Sequence, residues 1–174
     1  MLQLARRKAA DAGVDGRTTF ETADVRALRF EDGEFECVTC QGLLHHLESI
    51  EPCLSELERV LSPGGSFYLS EPASDETPVK RLLRGVWRML PHRARRDLRD
   101  EAPETVEEPI DPAELRAVLD GLSLEYELEF LTHVPPLRRR LPDSLYLAVS
   151  RILTLPWRRR KGDLVFVIGQ KRSG

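Results

Sequence analysis

A short apolar run that ends abruptly places the strongest constraint on the fold of this chain. The run extends from Phe35 to Cys40 and stops at the turn-forming pair Gln41-Gly42. A short apolar segment bounded by turn residues is typical of a strand buried on both faces, as in the parallel sheets of α/β proteins. Ligands of such sheets bind at the carboxyl ends of the strands. The run therefore predicts a small-molecule site at residues 40–46.

The segments before and after this run predict further strands and helices. Residues 2–12 have the pattern of an amphipathic helix, and residues 18–23 form a β-branched and aromatic run that favours a strand. A helix over residues 50–61 is predicted by an apolar stripe at helical spacing, which consists of Ile50, Leu54, Leu57 and Leu61. The alternation of strands and helices with short links indicates right-handed crossovers in an α/β fold.

The second half of the chain continues this alternation after a turn. Ser62-Pro63-Gly64-Gly65 fits a turn with positive φ at Gly64, and it leads into a strand. Asp111-Pro112 fits the start of a helix, with Asp as N-cap, that ends near Gly121. Apolar patterns predict a strand over 122–131 and a helix over 141–156. The chain closes with a buried strand over 164–168.

The composition of this 174-residue chain is that of an ordinary globular domain. The formal net charge is −3, so there is no global electrostatic case for nucleic-acid binding. No run of about 18 apolar residues predicts a transmembrane helix, and the charged N-terminal segment does not resemble a secretory signal. Three cysteines, an odd number, favour a reducing compartment. These features predict a cytoplasmic location.

Four segments in a fixed order resemble the class I S-adenosylmethionine-dependent methyltransferases, in their small-molecule branch. The segments are 1–6, Ala23-Asp24-Val25, the stretch from Phe35 to Leu47, and the stretch from Leu57 to Gly65. The resemblance implies a Rossmann-like sheet, mostly parallel with an antiparallel C-terminal strand, and helices on both faces. It also implies a partial cofactor-binding core over 1–72, followed by a helical insertion or cap and the last strands over 73–174.

The resemblance implies cofactor contacts at four positions. Asp24 matches the acidic residue that accepts a hydrogen bond from the adenine amino group of S-adenosylmethionine, and Val25 matches the residue whose backbone N–H meets the adenine ring. Cys40 and Gln41 match the strand end that flanks the methionine part of the cofactor. From the residue alone, the favoured interpretation of Asp24 is an ordinary helix N-cap or turn residue.

The same resemblance implies that His45 and His46 face the methyl acceptor, which would be a small or lipid-like molecule. His46 is our candidate for a catalytic base, because an imidazole can take a proton from a hydroxyl acceptor near neutral pH. The alternative is that both histidines only cap a helix or face solvent.

The chain departs from the family pattern in its cofactor loop. No two of its 11 glycines are separated by a single residue, so the glycine-rich first loop of the family is absent. The strand before that loop and the acidic residue that binds the ribose are also absent. We therefore expect an N-terminally truncated, incomplete sheet that binds the cofactor weakly and has little or no activity. The alternative is a non-catalytic remnant or interaction subunit that another chain completes.

Cys37 and Cys40 have the spacing of a metal or redox motif. Because residues three apart on a strand point to opposite faces, the two sulfurs cannot easily share a ligand. Cys53 is the remaining thiol, and no histidine has suitable spacing for zinc. We therefore expect no metal site and interpret the cysteines as small core residues.

Residues 137–161 combine an apolar helix with strong positive charge. This segment carries eight basic residues and one acid, Asp143. One interpretation is a helix that contacts a membrane surface and draws in an apolar acceptor. The alternative is a helix that covers the active site, with solvated arginines at both ends. The oligomeric state is left open by the sequence.

Overall fold

Four strands form one mixed sheet in the computed structural model, which describes residues 2–74, 109–131, 142–154 and 164–173. The helices are α1 (Leu2–Asp11), α2 (Glu51–Val60), α3 (Pro112–Asp120) and α4 (Asp143–Thr154). The strands are β1 (Phe35–Gln41), β2 (Leu61–Pro72), β3 (Leu124–Leu131) and β4 (Leu164–Lys171). Short 3₁₀ turns lie at Asp15–Arg17 and Leu44–His46. Residues 75–108, which belong to the helical insertion or cap that the resemblance implies, lie outside the described residues.

The strands are arranged in the order β1-β2-β4-β3. β1 and β2 pair in parallel, with Cys40 opposite Leu69. β4 runs antiparallel to both of its neighbours, so that Val167 lies opposite Leu69 on one side and Leu128 on the other. β1, β2 and β3 therefore share one direction, and the C-terminal strand runs against them, as expected from the sequence.

The core fills one face of this sheet. The predicted stripe along α2 is confirmed, because each of its four members is at most 4% exposed. Facing it on the sheet are the buried side chains of Phe67, Leu69, Val165 and Val167. The opposite face of β2 and β4 carries half-buried or exposed residues, among them Ile168 at 57% exposure. β4 is therefore buried on one face, and the prediction of a fully buried last strand was wrong.

Helix α3 begins and ends as its sequence predicts. The Asp111 carboxylate accepts a hydrogen bond of 2.8 Å from the Ala113 backbone N–H, and Pro112 occupies the first helical position. The helix stops before Gly121. An N-cap of this type satisfies a backbone donor that the helix itself leaves unpaired. Leu115 and Leu119 lie one turn apart and are fully buried in the core.

Two strand predictions from the sequence were wrong. β1 is not buried on both faces, because Cys40 is its one buried residue. β1 lies at the edge of the described sheet and pairs with β2 alone, which leaves side chains exposed that a central strand would cover. The run over 18–23 forms no strand. No described segment pairs with it, and β propensity cannot hold a strand that lacks a hydrogen-bonding neighbour.

An arginine on α2 ties the segment before β1 to the helix. The Arg59 guanidinium donates to Glu56 at 2.8 Å, to Asp32 at 2.7 Å, and to the backbone carbonyls of Phe30 and Leu28. The hydrogen bonds from Arg59 hold the pKa of the Glu56 carboxyl below its ordinary value. The Leu28 N–H donates to the same carboxylate at 2.7 Å. These contacts fix how the chain enters β1.

Hydrogen bonds from Lys171 on β4 join the end of the described chain to the same helix. The Lys171 ammonium donates to the carbonyls of Glu58 and Leu61 at 2.6 and 2.9 Å, at the C-terminal end of α2. A cation in this position satisfies carbonyls that the helix leaves unpaired and complements the helix dipole. The Glu58 carboxylate accepts a hydrogen bond of 2.7 Å from the Ser123 N–H just before β3. α2 therefore organises both halves of the described chain.

We expect Gly169→Ala to lower the free energy of unfolding by about 1–3 kcal/mol, since overpacking a close-packed site has that cost. A Cβ at Gly169 would lie 2.2 Å from the Glu125 carbonyl oxygen and 2.6 Å from the Phe67 ring. Urea unfolding followed by circular dichroism measures the change. Gly16→Ala is the matched control, because nothing lies within 4 Å of a Cβ there. Equal unfolding midpoints for the two variants would contradict the packing between β3, β4 and β2.

Candidate functional site

The carboxyl end of β1 leads into a tight loop that the rest of the sheet holds in place. Gly42 has a φ of +58°, a conformation that glycine adopts without strain. Its N–H donates to the Ser70 carbonyl at 2.9 Å, which continues the pairing with β2 by one residue. Leu44 then enters the core and is fully buried. The loop over 42–46 is thus anchored at both ends, at the edge where the sequence predicts a small-molecule site.

A buried carboxylate lies directly behind this loop. Glu71, near the end of β2, is 1% exposed. Its Oε1 accepts hydrogen bonds from the backbone N–H groups of Leu43 and Leu44 at 2.8 and 3.0 Å. The Cys40 thiol lies 3.9 Å from the same oxygen. The other oxygen, Oε2, is 2.7 Å from His45 Nδ1. Glu71 therefore has a partner on each oxygen, which a buried carboxylate needs to offset its loss of hydration.

The two histidines of the loop are neighbours in different environments. The His45 side chain is 5% exposed and packs against Glu71, whereas His46 is exposed. Their ring centroids are 4.1 Å apart, with the ring planes tilted by 38°. The structure thus brings together both histidines predicted to face the acceptor, and it places His46 at the surface beside the buried His45–Glu71 pair.

Glu71 was not identified from the sequence as a residue of the candidate site. Two signals could have identified it. The residue follows an apolar run on a strand with buried neighbours, and a charge there requires a partner. The parallel pairing of β1 with β2 places the end of β2 beside the loop that follows β1, where His45 supplies a donor. Without the register of the two strands, however, the partner could not be chosen.

Cys37 and Cys40 lie on opposite faces of β1, as expected from their spacing. The interpretation of the cysteines as core residues is confirmed for Cys40 and Cys53 and was wrong for Cys37, because the edge position of β1 leaves that side chain exposed. Cys37 is exposed and Cys40 is buried in contact with the core. The pKa of the Cys40 thiol is raised by its hydrogen bond with Cys53 and by burial. Cys40 is therefore a neutral thiol at physiological pH and not a nucleophile. In the described part of the chain, no three His, Cys, Asp or Glu side chains form a group that could hold a metal ion.

Asp24 lies at the surface in a turn. Its carboxylate accepts hydrogen bonds from the Arg26 backbone N–H and from the Arg26 guanidinium, at 3.0 and 2.9–3.0 Å. These contacts lower the pKa of Asp24 to about 2, so the carboxylate is ionised at neutral pH. Val25 is half-buried and packs against the core cluster that contains Cys40 and Leu44. The structure thus places Asp24 in a turn, anchored through its neighbour to the core behind the loop.

Two clefts are formed by other parts of the described structure. One of about 540 Å³ lies along β3 and the end of α3. The other, of about 240 Å³, lies between α4 and the open face of the sheet, where Tyr68 and Phe166 stack at 6.3 Å. Asp24, Val25, Cys40, Gln41 and the two histidines of the loop line neither cleft. The predicted cofactor and acceptor residues are therefore not gathered around either of these hollows.

The chain is similar to quinone methyltransferases. A family model described as a methyltransferase domain matches residues 1–69. The demethylmenaquinone methyltransferase of Thermus thermophilus is 36% identical over 141 residues, which cover 74% of this chain and 61% of that protein. The ubiquinone/menaquinone biosynthesis C-methyltransferase UbiE of Pseudomonas fluorescens is 38% identical over 71 residues, covering 41% of this chain. This chain spans 61% and 28% of the lengths of these two relatives.

Solved structures of low sequence identity show the same fold. The YcgJ protein of Bacillus subtilis superimposes over all of this chain and 79% of its own, with a TM-score of 0.60 and 19% identity. A possible histamine N-methyltransferase of Thermotoga maritima covers 92% of this chain and 69% of its own, with a TM-score of 0.55 and 13% identity. The ordered sequence motifs, the relatives and the solved structures agree: residues 1–69 match the methyltransferase-domain family, and the fold is the Rossmann-like fold of S-adenosylmethionine-dependent methyltransferases.

Proposed function

We propose that this chain transfers a methyl group from S-adenosylmethionine to a small, lipid-like acceptor of the quinone type. The observation that carries this proposal is the 36% identity to a demethylmenaquinone methyltransferase over 141 residues. The loop after β1, which the sequence assigns to the acceptor side, is firmly held by Glu71 and the core.

The residues present suit one side of the cofactor. An adenine amino group is a donor, and the ionised, exposed Asp24 carboxylate is an acceptor that can receive its hydrogen bond while it retains Arg26. Val25 anchors this turn to the core, so the carboxylate is held on a fixed support. Cys40 and Gln41 end the strand at the other side of the proposed site. When bound, S-adenosylmethionine supplies an electrophilic methyl group, and the chain orients the acceptor toward it.

His46 is our candidate for the base that the acceptor needs. An exposed imidazole at the strand end can take the proton of a hydroxyl or activated carbon acceptor as the methyl group arrives. Its ring lies beside the tilted ring of His45, which is itself held by Glu71, so the position of His46 depends on a fixed neighbour. Which atom of the acceptor is methylated does not follow from these residues.

We further propose that the chain by itself binds the cofactor weakly. The support is twofold. Its sequence contains no Gly-x-Gly loop, through which backbone N–H groups approach such cofactors. Among the described strands, the outer edge of β1 has no neighbour that could form the opposite wall of a pocket.

The same edge supports the alternative, an interaction subunit completed by another chain. An unpaired strand edge offers a row of backbone donors and acceptors to an incoming strand. Along β1 this edge is flanked by the exposed side chains of Glu36, Cys37, Thr39 and Gln41, which do not block access with a proline. A partner strand here would extend the sheet and cover the end of β1.

The apolar side of α4 supports contact with a membrane surface. Leu145 and Ile152 are 49% and 68% exposed, and their spacing of seven residues places them on one face of the helix. Tyr146 on the same helix is buried, and α4 packs against β3. Arg151 is exposed next to Ile152; the other basic residues of 137–161 lie outside the described residues. No helix in the described ranges is long and apolar enough to span a bilayer. From the exposed Leu145 and Ile152 beside Arg151 we propose peripheral contact with anionic lipid.

We expect the 174-residue chain to bind S-adenosylmethionine more weakly than micromolar, with a binding free energy less favourable than about −8 kcal/mol. Asp24→Asn should weaken binding by a further factor of about ten, because it turns a charge-assisted hydrogen bond into a neutral one. Calorimetry, supported by ligand-observed NMR, measures both. Asp15→Asn, at another exposed turn, is the control and should leave affinity unchanged.

Micromolar binding by the unaltered chain would overturn the proposal of weak binding, and equal affinities for the Asp24 and Asp15 variants would remove Asp24 from the site. The alternative function makes a different prediction for the same sample. An interaction subunit binds no cofactor at any concentration tested, and sedimentation shows an assembly larger than a monomer.

We expect His46→Asn to reduce the rate of methyl transfer to a demethylated quinol by about 100-fold, as is typical when a general base is lost. Affinity for S-adenosylmethionine should remain unchanged, because the ring faces the acceptor. Transfer of a radiolabelled methyl group to the extracted quinol measures the rate. Glu48→Gln is the control, since Glu48 is an exposed ionisable residue two positions along the same segment. A rate equal to that of the control variant would show that His46 is not the base.

We expect vesicles of phosphatidylglycerol, but not of phosphatidylcholine, to sediment this chain. Replacing Leu145 and Ile152 together by Gln should weaken vesicle binding by at least tenfold, because burying each side chain contributes about 1.5–3 kcal/mol when complete. Leu4→Gln is the matched control, since Leu4 is an apolar residue of α1 with 53% exposure. If both variants sediment to the same extent, α4 is not the contact surface.

A further inference from the structure

The arrangement of donors around Glu71 favours a carboxylate that only accepts hydrogen bonds. Oε1 faces three donors, namely two backbone N–H groups of the loop and the Cys40 thiol, and Oε2 faces His45 Nδ1 at 2.7 Å. A protonated carboxyl would have to place its own hydrogen on Oε2, pointing at Nδ1. An ionised carboxylate instead receives all four contacts as donated hydrogen bonds. In that case Nδ1 of His45 carries a proton.

Burying a carboxylate here has a cost, which its partners offset. An ionised group loses several kcal/mol of hydration when it is buried, and the side chains of Leu44 and Leu69 beside it are apolar, at 0% and 1% exposure. An apolar residue at 71 would leave the Leu43 and Leu44 N–H groups without their acceptor. It would also remove the contact that holds one orientation of the His45 ring.

We propose that Glu71 is a positioning residue, which fixes the loop over 42–46 and holds the His45 imidazole with its proton on Nδ1. The inference deepens the proposed function, because it assigns the residue that orients the acceptor-facing loop. Fixing one ring nitrogen as the donor makes the other nitrogen of a neutral imidazole an acceptor. The contact with Glu71 thus fixes the His45 ring, whose centroid lies 4.1 Å from that of His46, the candidate base.

The direct test is the protonation state of the His45 ring nitrogens. Long-range proton–nitrogen NMR on the full chain, labelled with ¹⁵N, distinguishes a nitrogen that carries hydrogen from one that does not. We expect Nδ1 of His45 to carry hydrogen in the unaltered protein, and this measurement requires neither a variant nor a cofactor. A ring with its proton on Nε2 alone would overturn the proposal.

The variant Glu71→Gln distinguishes two roles of Glu71, positioning of the His45 ring and support of the fold. The amide oxygen can still accept both loop N–H groups, while the amide NH₂ now faces Nδ1 and donates to it. We expect the hydrogen to move to Nε2 of His45 and the urea midpoint to remain close to that of the unaltered chain. Methyl transfer should fall by about tenfold or more, with affinity for S-adenosylmethionine within about twofold.

Glu58→Gln is the matched control, because Glu58 also accepts a backbone N–H, from Ser123, but remote from the loop. It should leave the His45 signals and the transfer rate unchanged. An unchanged transfer rate in Glu71→Gln despite a reversed tautomer would show that Glu71 only supports the fold. If the unaltered chain transfers no methyl group even at a saturating concentration of S-adenosylmethionine, the proposed function fails. The nitrogen spectra, which need no cofactor, would still test the tautomer of His45.

Discussion

The Glu71 carboxylate is the interaction on which the candidate site depends. It is buried, and a buried charge is stable only where donors surround it. Those donors come from the loop after β1, so the charge and the loop stabilise each other. The loop over 42–46 is consequently held by a polar network rather than by apolar packing alone. Such a network permits few alternative geometries, because each misplaced donor would leave part of the carboxylate unpaired.

Helix α2 supports the strands that carry this network. Its apolar side fills the core under β1 and β2, and its polar side reaches in two directions. Arg59 holds the chain that enters β1, while the C-terminal end of the helix receives the Lys171 ammonium from β4. A single helix therefore connects the entry to β1 with the last strand, although the two are more than a hundred residues apart in the chain. This explains how strands from both halves of the sequence join one sheet.

The chemistry of the site follows from charge and position rather than from reactive groups. The Cys40 thiol is neutral because burial and the neighbouring Cys53 raise its pKa, so it belongs to the packing behind the loop. Asp24, in contrast, is exposed and ionised because Arg26 stabilises its charge. The neutral Cys40 thiol suits the apolar core, and the ionised Asp24 carboxylate can accept a hydrogen bond at the surface. A methyltransferase needs little more, because its cofactor carries the reactive methyl group.

The sequence by itself determined the class of fold, the α2 stripe, the Asp111 cap and the positive φ of Gly64, because these depend on periodicity and on local backbone preference. The turn predicted over 62–65 was wrong, because these residues lie within β2, which begins at Leu61. It also located the strand end with its two histidines. It could not decide that β1 is an edge strand, that 18–23 remains unpaired, or that Glu71 faces His45. Each of those depends on which segments become neighbours, and only the parallel register of β1 on β2 brings a carboxylate at 71 beside donors at 43–45.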